Sequence, residues 1–355
     1  MQEAPFGIYV HVPFCEVRCH YCAFATWDDR PHLIADYVDA VVREIGAAAD
    51  AGLPVATTVF FGGGTPSLLS AEQLTAIVAA LPLDPGAEVS VECNPDTVDL
   101  DQLQGYRDCG VNRISLGVQS MVPHVLAALG RTHDPANVAL AVEAIREVGF
   151  PTWNMDLIYG AVGESVVDWA ATLDASLALQ PPHVSAYGLT VEAGTPLAED
   201  LARHPDDDDE ADKYVVADAA LGAAGLVGYE VSNWARPGHE CRHNAIYWSQ
   251  GDYRGFGCAA HSHESGRRWW NVRTPERYIA LVDEGRPTIA SDEVLDAEAR
   301  RVEGLQLALR TRGGVPEGAV PDDEDLDRLV RREAGRATLT LEGRLLANEV
   351  AVRLR

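Results

Sequence analysis

The sequence predicts an α/β protein whose core is a partial barrel of six parallel strands, followed by a small, mainly helical C-terminal module. Two observations support this fold class. Six short runs of apolar and β-branched residues recur between residues 7 and 189, and amphipathic stretches with helical periodicity separate them. Strands and helices that alternate in this way fold as right-handed βαβ units around a parallel sheet. A full eight-unit barrel stays an alternative, but the pattern shows only six units.

The predicted elements follow one another at regular intervals. Strands are expected at 7–12, 57–61, 88–93, 113–118, 152–158 and 183–189, with helices at 33–49, 71–81, 100–109, 135–148 and 165–179. The acidic run at 204–210 predicts a solvated loop and the start of a helix, and a further helix is expected at 211–224.

We divide the chain into a core (1–228), an extension rich in aromatic residues and histidine (229–290), and the C-terminal module (291–355). In the module we expect a helix at 293–310, an acidic turn, a second helix, and a short wing at 338–341 that leads into residues 342–355.

Charge and hydropathy exclude several classes of protein. The 355 residues carry 28 basic and 54 acidic side chains, for a formal charge of -26, which argues against binding to nucleic-acid phosphates or to anionic membranes. No apolar run approaches the roughly 20 residues that span a bilayer. The first six residues lack a basic segment followed by an apolar one, so no secretory signal is expected. We therefore expect a cytoplasmic protein.

The strongest motif is a group of three cysteines, Cys15, Cys19 and Cys22, directly after the first strand. Thiolates are soft ligands that suit iron–sulfur clusters and zinc, and three of them leave one metal position open. A structural zinc site would need a fourth ligand, for which His20 is the nearby candidate. Other unusual residues also follow strands, so we expect them to meet the cysteines at one face of the barrel: the glycine-rich loop 62–65, Glu92, Gln119 and Asp156.

The run from Tyr9 to Cys22 resembles the radical S-adenosylmethionine (SAM) superfamily and, within it, the oxygen-independent coproporphyrinogen III oxidase family. The resemblance covers nearly the whole chain, because further family motifs recur in order at 62–66, 91–95, 117–120, 156–160 and 229–233. It implies a radical SAM barrel with a [4Fe-4S] cluster on the three cysteines. It also implies SAM bound to the open iron through its amino and carboxylate groups, and cleavage of SAM to a 5′-deoxyadenosyl radical.

The resemblance also implies a set of SAM contacts. Backbone N–H groups of a glycine-rich loop reach the methionine part of SAM, since glycine removes the side chains that would block the approach. A buried carboxylate needs a partner, which SAM would supply to Glu92. The residues in the implied set are Tyr9, Tyr21, Gly63, Gly64, Thr65, Glu92, Gln119, Arg131 and Asp156.

Two departures from the dehydrogenase pattern favour the haem chaperone subgroup of this family. The dehydrogenases carry a further cysteine two residues after the third ligand, where this chain has Phe24, and the cysteine motif here follows a short N-terminal segment. The resemblance then implies haem as a ligand, an acceptor protein for it, contact with membrane proteins, and a homodimer. Oxidative decarboxylation of coproporphyrinogen III and radical methylation with two SAM molecules remain alternatives.

The extension holds a second group of ligand-type residues. His243 begins the run His-Asn-Ala-Ile-Tyr-Trp, a signature of the chaperone subgroup, and we interpret it as an axial ligand of haem iron. A zinc site built from Cys241, His243, Cys258 and His261 stays open, with His263 nearby. We expect Cys93 and Cys109 to be buried structural thiols, and Trp269 and Trp270 to lie in the core or an interface.

Overall fold

The computed structural model describes residues 4–354. Within them, one open sheet holds twelve strands in the order β12-β11-β10-β9-β1-β2-β3-β4-β5-β6-β8-β7. Its centre is the predicted parallel array: β1 (Phe6–Val12), β2 (Ala56–Gly63), β3 (Leu83–Cys93), β4 (Arg113–Gln119), β5 (Thr152–Tyr159) and β6 (His183–Gly188). The predicted α/β class with six consecutive parallel strands is confirmed.

Helices cover the convex face of these strands. They are α1 (Ile34–Asp50), α2 (Ala71–Ala80), α3 (Leu100–Asp108), α4 (Pro123–Leu129), α5 (Pro135–Val148), α6 (Val166–Ala178) and α7 (Asp207–Ala223). Local sequence sets their ends: Ser70 and Ser165 form capping boxes at the starts of α2 and α6, and Gly149 ends α5 in the left-handed conformation. The sequence pattern missed α4, because seven residues are too few to show a helical period.

Both ends of the parallel array are extended by short strands. Beside β6 lie β8 (Asn233–Ala235) and β7 (Val227–Gly228), paired antiparallel. After α8 (Arg242–Trp248), β9 (Asp252–Phe256) returns to pair with β1 in parallel. Then β10 (His261–Glu264), β11 (Arg267–Asn271) and, after α9 (Pro275–Asp283), β12 (Ile289–Val294) continue the sheet antiparallel. Because Phe256, Cys258 and Tyr278 pack in the same core as β1, the extension is continuous with the barrel.

The C-terminal module has its own small core, in which Leu309, Val315, Leu326, Ala337 and Val350 are buried together. It begins with α10 (Ala297–Leu309) and ends with α11 (Leu341–Leu345) and α12 (Ala347–Ala351). Between them is a three-stranded antiparallel sheet of β13 (Val315–Pro316), β15 (Arg336–Leu339) and β14 (Val330–Glu333).

The module therefore departs from the expected succession of helices. The second helix predicted in its middle is wrong: single 3-10 turns at Glu317–Ala319 and Glu324–Leu326 stand there. The acidic residues around 322–325 favour capped turns, in which Asp323 accepts a hydrogen bond from the Asp325 N–H.

Within residues 4–354, no helix is long and apolar enough to cross a membrane. Residues 1–3, on which the expectation about a secretory signal partly depends, lie outside the described residues, as does residue 355 at the end of the predicted segment 342–355.

Candidate functional site

A cavity of about 580 Å³ lies at the carboxyl ends of the parallel strands and reaches into the barrel. Eleven of the thirteen residues predicted from the sequence line it: Cys15, Cys19, Tyr21, Cys22, Gly63, Gly64, Thr65, Glu92, Gln119, Arg131 and Asp156. The other two, Tyr9 and His243, are not among its lining residues. Convergence at one face follows from the parallel topology, which brings every strand end to the same edge.

The cysteine loop between β1 and α1 is held at both ends by backbone hydrogen bonds. Cys15 N–H donates to the Trp27 carbonyl (3.0 Å), and Trp27 N–H donates to the Pro13 carbonyl (2.8 Å). In the middle, the His20 N–H donates to the Leu129 carbonyl (3.1 Å), and the His20 carbonyl accepts from the Leu197 N–H (3.0 Å). The loop is therefore tied to α4 and to the segment after β6, which keeps it over the cavity.

The three thiols are half-buried around the mouth of the cavity. Burial raises the pKa of the Cys15 thiol to about 11 and also raises the pKa of the Cys22 thiol. Among residues 4–354, no three Cys, His, Asp or Glu side chains already stand in metal-ligand geometry. Three soft donors at one opening nevertheless fit a cluster with an open position, since bound iron would stabilise their thiolate forms.

The glycine-rich loop after β2 packs tightly against β1. A Cβ at Gly63, whose φ is +116°, would lie 2.4 Å from the His11 ring, and a Cβ at Gly64 would lie 2.5 Å from the Phe14 carbonyl oxygen. The N–H of Gly64 donates to the Val12 carbonyl (2.8 Å). The N–H groups here are thus already engaged with the protein. Both glycines are required because the loop packs closely against β1. The sequence analysis expected a different reason, namely that a ligand approaches free N–H groups of the loop.

Two carboxyl groups face the cavity from neighbouring regions of the barrel. Glu92 accepts a hydrogen bond from the Gly63 N–H (3.1 Å), while Asp156 accepts from Ser115 Oγ (2.7 Å) and Asn154 Nδ2 (2.9 Å). Burial, and then the negative charge of Asp156, raise the pKa of Glu92 to about 8. Burial also raises the pKa of Asp156. Such a site favours a cationic ligand that donates hydrogen bonds, which matches the sulfonium, amino and hydroxyl groups of SAM.

Gln119 and Arg131 line the cavity at the end of β4, the strand between those that carry Glu92 and Asp156. Gln119 ends β4 with a φ of +63°, a conformation that costs a non-glycine residue roughly 1–3 kcal/mol and is concentrated at functional sites. Arg131 donates to the Gly117 carbonyl (2.8 Å) and lies 3.8 Å from Cys19 Sγ. Its guanidinium therefore links the end of β4 to the cysteine loop.

Tyr9 reaches the cavity wall through its neighbours. Its hydroxyl lies 3.0 Å from His11 Nδ1, and His11 Nε2 lies 2.9 Å from the Ala25 carbonyl oxygen. Burial lowers the pKa of His11 to about 4, so the neutral ring accepts from Tyr9 and donates to Ala25. The Tyr9 ring stacks on Phe60, a cavity-lining residue, at 6.5 Å. Sequence reasoning missed His11 and Phe60, because alternating apolar and aromatic residues in a strand look like ordinary core.

His243 lies at the start of α8 and borders the cavity, because its ring stacks at 5.4 Å on Phe60, which lines it. Its side chain is fully buried, Nδ1 lies 2.9 Å from Thr58 Oγ1, and Nε2 lies 2.7 Å from the Tyr247 hydroxyl. Burial lowers the pKa of His243 to about 3, so the ring is neutral. Both ring nitrogens are engaged, and iron binding at His243 would have to replace one of these hydrogen bonds.

The other cysteines and the tryptophan pair are spread through the fold. Cys241 contacts Glu88 and Cys258 contacts Tyr37, so no shared zinc site forms from them in residues 4–354. Cys93 is buried as expected, whereas Cys109 is half-buried. Trp269 is buried, whereas Trp270 is partly exposed.

The fold and the cavity place the chain in a known class. The Radical SAM superfamily model matches residues 9–175, the part that carries the cysteine loop, the glycine-rich loop and both cavity carboxylates. Membership of that superfamily implies a [4Fe-4S] cluster and SAM. In overall fold the chain is similar to the coproporphyrinogen III oxidase HemN of Escherichia coli, a radical SAM enzyme, with a TM-score of 0.87, 24% identity and coverage of 99% of this chain and 90% of that one.

Sequence relatives define the family more closely. The chain is 42% identical to the haem chaperone HemW of Mycobacterium tuberculosis, over 99% of this chain and 95% of the relative. It is 38% identical to the HemW of Synechocystis (89% and 81%) and 39% identical to that of Escherichia coli (86% and 84%). The chain therefore belongs to the HemW family of radical SAM proteins.

Proposed function

We propose that this protein is a haem chaperone that binds haem, carries a [4Fe-4S] cluster with SAM, and delivers the haem to an acceptor protein. The observation that carries the proposal is the full-length similarity, 42% identity over 99% of the chain, to a relative named haem chaperone HemW. The structure supports it with a cavity in which cluster-type and SAM-type residues meet.

The residues present fit both cofactors. Cys15, Cys19 and Cys22 would hold three irons of the cluster. When bound, the cluster supplies one-electron reducing chemistry at its open iron, where the amino and carboxylate groups of SAM would bind. All three thiols are available as ligands, because none forms a disulfide bond and all three line the same cavity.

The protein's own groups would bind and orient SAM. Glu92 and Asp156 provide negative charge for a cationic ligand, and Arg131 provides positive charge beside the cysteine loop for a carboxylate. Thr65, Gln119 and Tyr21 complete the predicted set around the same cavity, and Tyr9 supports it through Phe60.

We also propose that the chain acts in the cytoplasm, because three free thiols that must ligate a cluster need a reducing compartment. Its partners would be haem and an acceptor protein for haem, and the family resemblance also implies peripheral contact with membrane proteins. The homodimer stays a prediction. His243 remains the axial ligand predicted from the sequence, with the buried geometry described above.

The proposal is tested on anaerobically purified protein. After reconstitution with iron and sulfide, the wild type should bind iron as a cluster, bind SAM, bind haem, and pass haem to an apo-acceptor. Cys15→Ser should lose cluster iron, whereas Cys109→Ser, a change at a half-buried thiol beside α3, should keep it.

The same preparation separates the chaperone from the dehydrogenase. Coproporphyrinogen III is added with SAM and a reductant, and the products are followed by mass spectrometry. An unchanged porphyrinogen together with haem binding supports the proposal. Loss of two carboxyl groups, with 5′-deoxyadenosine formed in proportion, would show the dehydrogenase activity instead.

A further inference from the structure

His243 lies in a recess that one row of residues in the main sheet forms. Gly7 of β1, Thr58 of β2 and Glu88 of β3 are neighbours in the pairing register, and each of them contacts His243. The Glu88 carboxylate accepts a hydrogen bond from the His243 backbone N–H (3.1 Å), and Thr58 Oγ1 lies 2.9 Å from the ring atom Nδ1. A Cβ at Gly7 would lie 3.3 Å from the His243 ring, so glycine at this position makes room for the ring.

The two ring nitrogens of His243 have unlike surroundings. Nδ1 faces Thr58, which is 1% exposed in the interior of the twelve-stranded sheet. Nε2 faces the hydroxyl of Tyr247 (2.7 Å), a side chain that is partly exposed and packs edge-on against Tyr253 at 4.7 Å. The ring is therefore accessible to iron from the Nε2 side, once the Tyr247 hydroxyl moves away.

Ligation at Nε2 determines the role of Nδ1. Burial lowers the pKa of His243 to about 3, so the ring is neutral and carries one proton. When Nε2 gives its lone pair to a metal, that proton is on Nδ1, which then needs a hydrogen-bond acceptor. In most metal sites this acceptor is a carboxylate, a backbone carbonyl or water. Within residues 4–354, the one partner of Nδ1 is the hydroxyl of Thr58.

The recess adjoins the cofactor cavity. The His243 ring stacks on Phe60 at 5.4 Å, and Asn244, the next residue of α8, lines the cavity. Phe60 follows Thr58 by two residues on β2, so both side chains project from the same face of the strand. The strand that ends in the glycine-rich loop therefore also sets the position of the His243 ring.

We propose that Thr58 is a positioning residue of the haem site, whose hydroxyl accepts the Nδ1 hydrogen of His243 and so directs Nε2 to the haem iron. Tyr247 is then a cap on Nε2 that haem displaces. This inference rests on the proposed function and on His243 as the ligand predicted from the sequence. The hydrogen bond fixes the orientation of the ring and raises the basicity of the imidazole, and a more basic axial ligand stabilises ferric haem.

The test titrates haem into cluster-loaded protein, so that the thiols of the cysteine loop are not open to haem. Thr58→Val keeps the size of the side chain and removes the hydroxyl. It should weaken haem binding about 10- to 100-fold and raise the reduction potential of the bound haem. Thr58→Ser, which keeps a hydroxyl, should retain most of the wild-type affinity and potential. The matched control is Thr57→Val, which removes a hydroxyl that donates to the Phe6 carbonyl (3.1 Å), and it should match the wild type.

Tyr247→Phe tests the cap. It keeps the ring and removes the hydroxyl that competes for Nε2, so haem should bind at least as tightly as in the wild type and should associate faster. Loss of haem binding from a folded Tyr247→Phe would show that this hydroxyl holds haem, and would overturn the assignment of Tyr247 as a cap.

The outcomes separate this inference from the proposed function. If the wild type binds haem and a folded Thr58→Val binds it with the same affinity and reduction potential, the inference fails and the chaperone function stands. Equal weakening in Thr57→Val and Thr58→Val would also overturn it, because the effect would then belong to the strand and not to the Thr58 hydroxyl. A wild type that binds no haem overturns both. Circular dichroism shows which variants are folded, and if Thr58→Val is unfolded, Thr58→Ala takes its place.

Discussion

The raised pKa of Glu92 predicts that SAM binding depends on pH. Glu92 faces the cavity with a pKa of about 8, raised by burial and by Asp156, so below that pH it is mostly protonated in the free protein. A cationic ligand favours the ionised carboxylate. Binding of SAM should therefore release a proton from Glu92, and SAM affinity should rise as the pH increases toward 8.

The size of the effect follows from the fraction of Glu92 that is ionised. If Glu92 is fully ionised in the complex, the dissociation constant should fall about 25-fold between pH 6.5 and 8.5, on the order of 2 kcal/mol. In Glu92→Gln this contribution is absent, because an amide does not titrate. The α-amino group of SAM itself titrates near pH 8, so the prediction concerns the difference between the wild type and Glu92→Gln.

Isothermal titration calorimetry at several pH values measures this difference. Repeating each titration in two buffers of unlike ionisation enthalpy counts the protons released on binding. The wild type should release more protons than Glu92→Gln near pH 7, with the difference vanishing above about pH 9. Equal proton release and parallel pH profiles in the two proteins would refute the assignment of Glu92 as the group that meets the charge of SAM.

Three further predictions concern stability and packing. The pKa of Glu92 is higher in the folded protein than in the unfolded chain, so its contribution to stability is complete below about pH 4 and is lost as the pH rises to 8. In a urea titration at pH 8.5, the free energy of unfolding of Glu92→Gln should therefore exceed that of the wild type by roughly 2–3 kcal/mol, a figure reduced to allow for the open cavity. Lys213, the single lysine of the chain, is fully buried, and its Nζ lies 3.2 Å from Glu164 Oε2. Lys213→Met should lower the free energy of unfolding by about 3–5 kcal/mol, because it leaves the Glu164 carboxylate buried without its partner. The double variant with Glu164→Gln should recover part of that loss in the same urea titration. Gly64→Ala should lower cluster loading, measured as iron per chain, because its Cβ would lie 2.5 Å from the Phe14 carbonyl oxygen. The control Gly46→Ala, in α1, has nothing within 4 Å of its Cβ, so it should keep full loading and gain about 0.5–1 kcal/mol of stability.

The sequence is informative wherever short-range pattern decides structure. Strand period and spacing predict the six parallel strands, and the topology rule for strand ends then predicts that the cysteines, Glu92 and Asp156 meet around one cavity, as they do. Cys15 and Asp156 are 141 residues apart in the sequence, yet both lie at the carboxyl ends of parallel strands and therefore line the same cavity.

The features that sequence reasoning misses depend on long-range pairing. The four strands β9 to β12 are only four to six residues long, and their membership of the main sheet is decided by pairing of β9 with β1, some 245 residues apart. Likewise, His243 and His261 look alike as isolated histidines in an aromatic segment. Their difference in exposure comes from tertiary packing: Thr58 and Tyr247 enclose the first, and the register of β10 with β11 exposes the second.

The pairing of β9 with β1 joins the extension to the barrel. Because β9 hydrogen-bonds directly to β1, the strand that precedes the cysteine loop, the extension cannot move as a separate hinged unit without breaking main-sheet hydrogen bonds. The aromatic residues of β10 and β11 are therefore held at a fixed position relative to the cluster cavity.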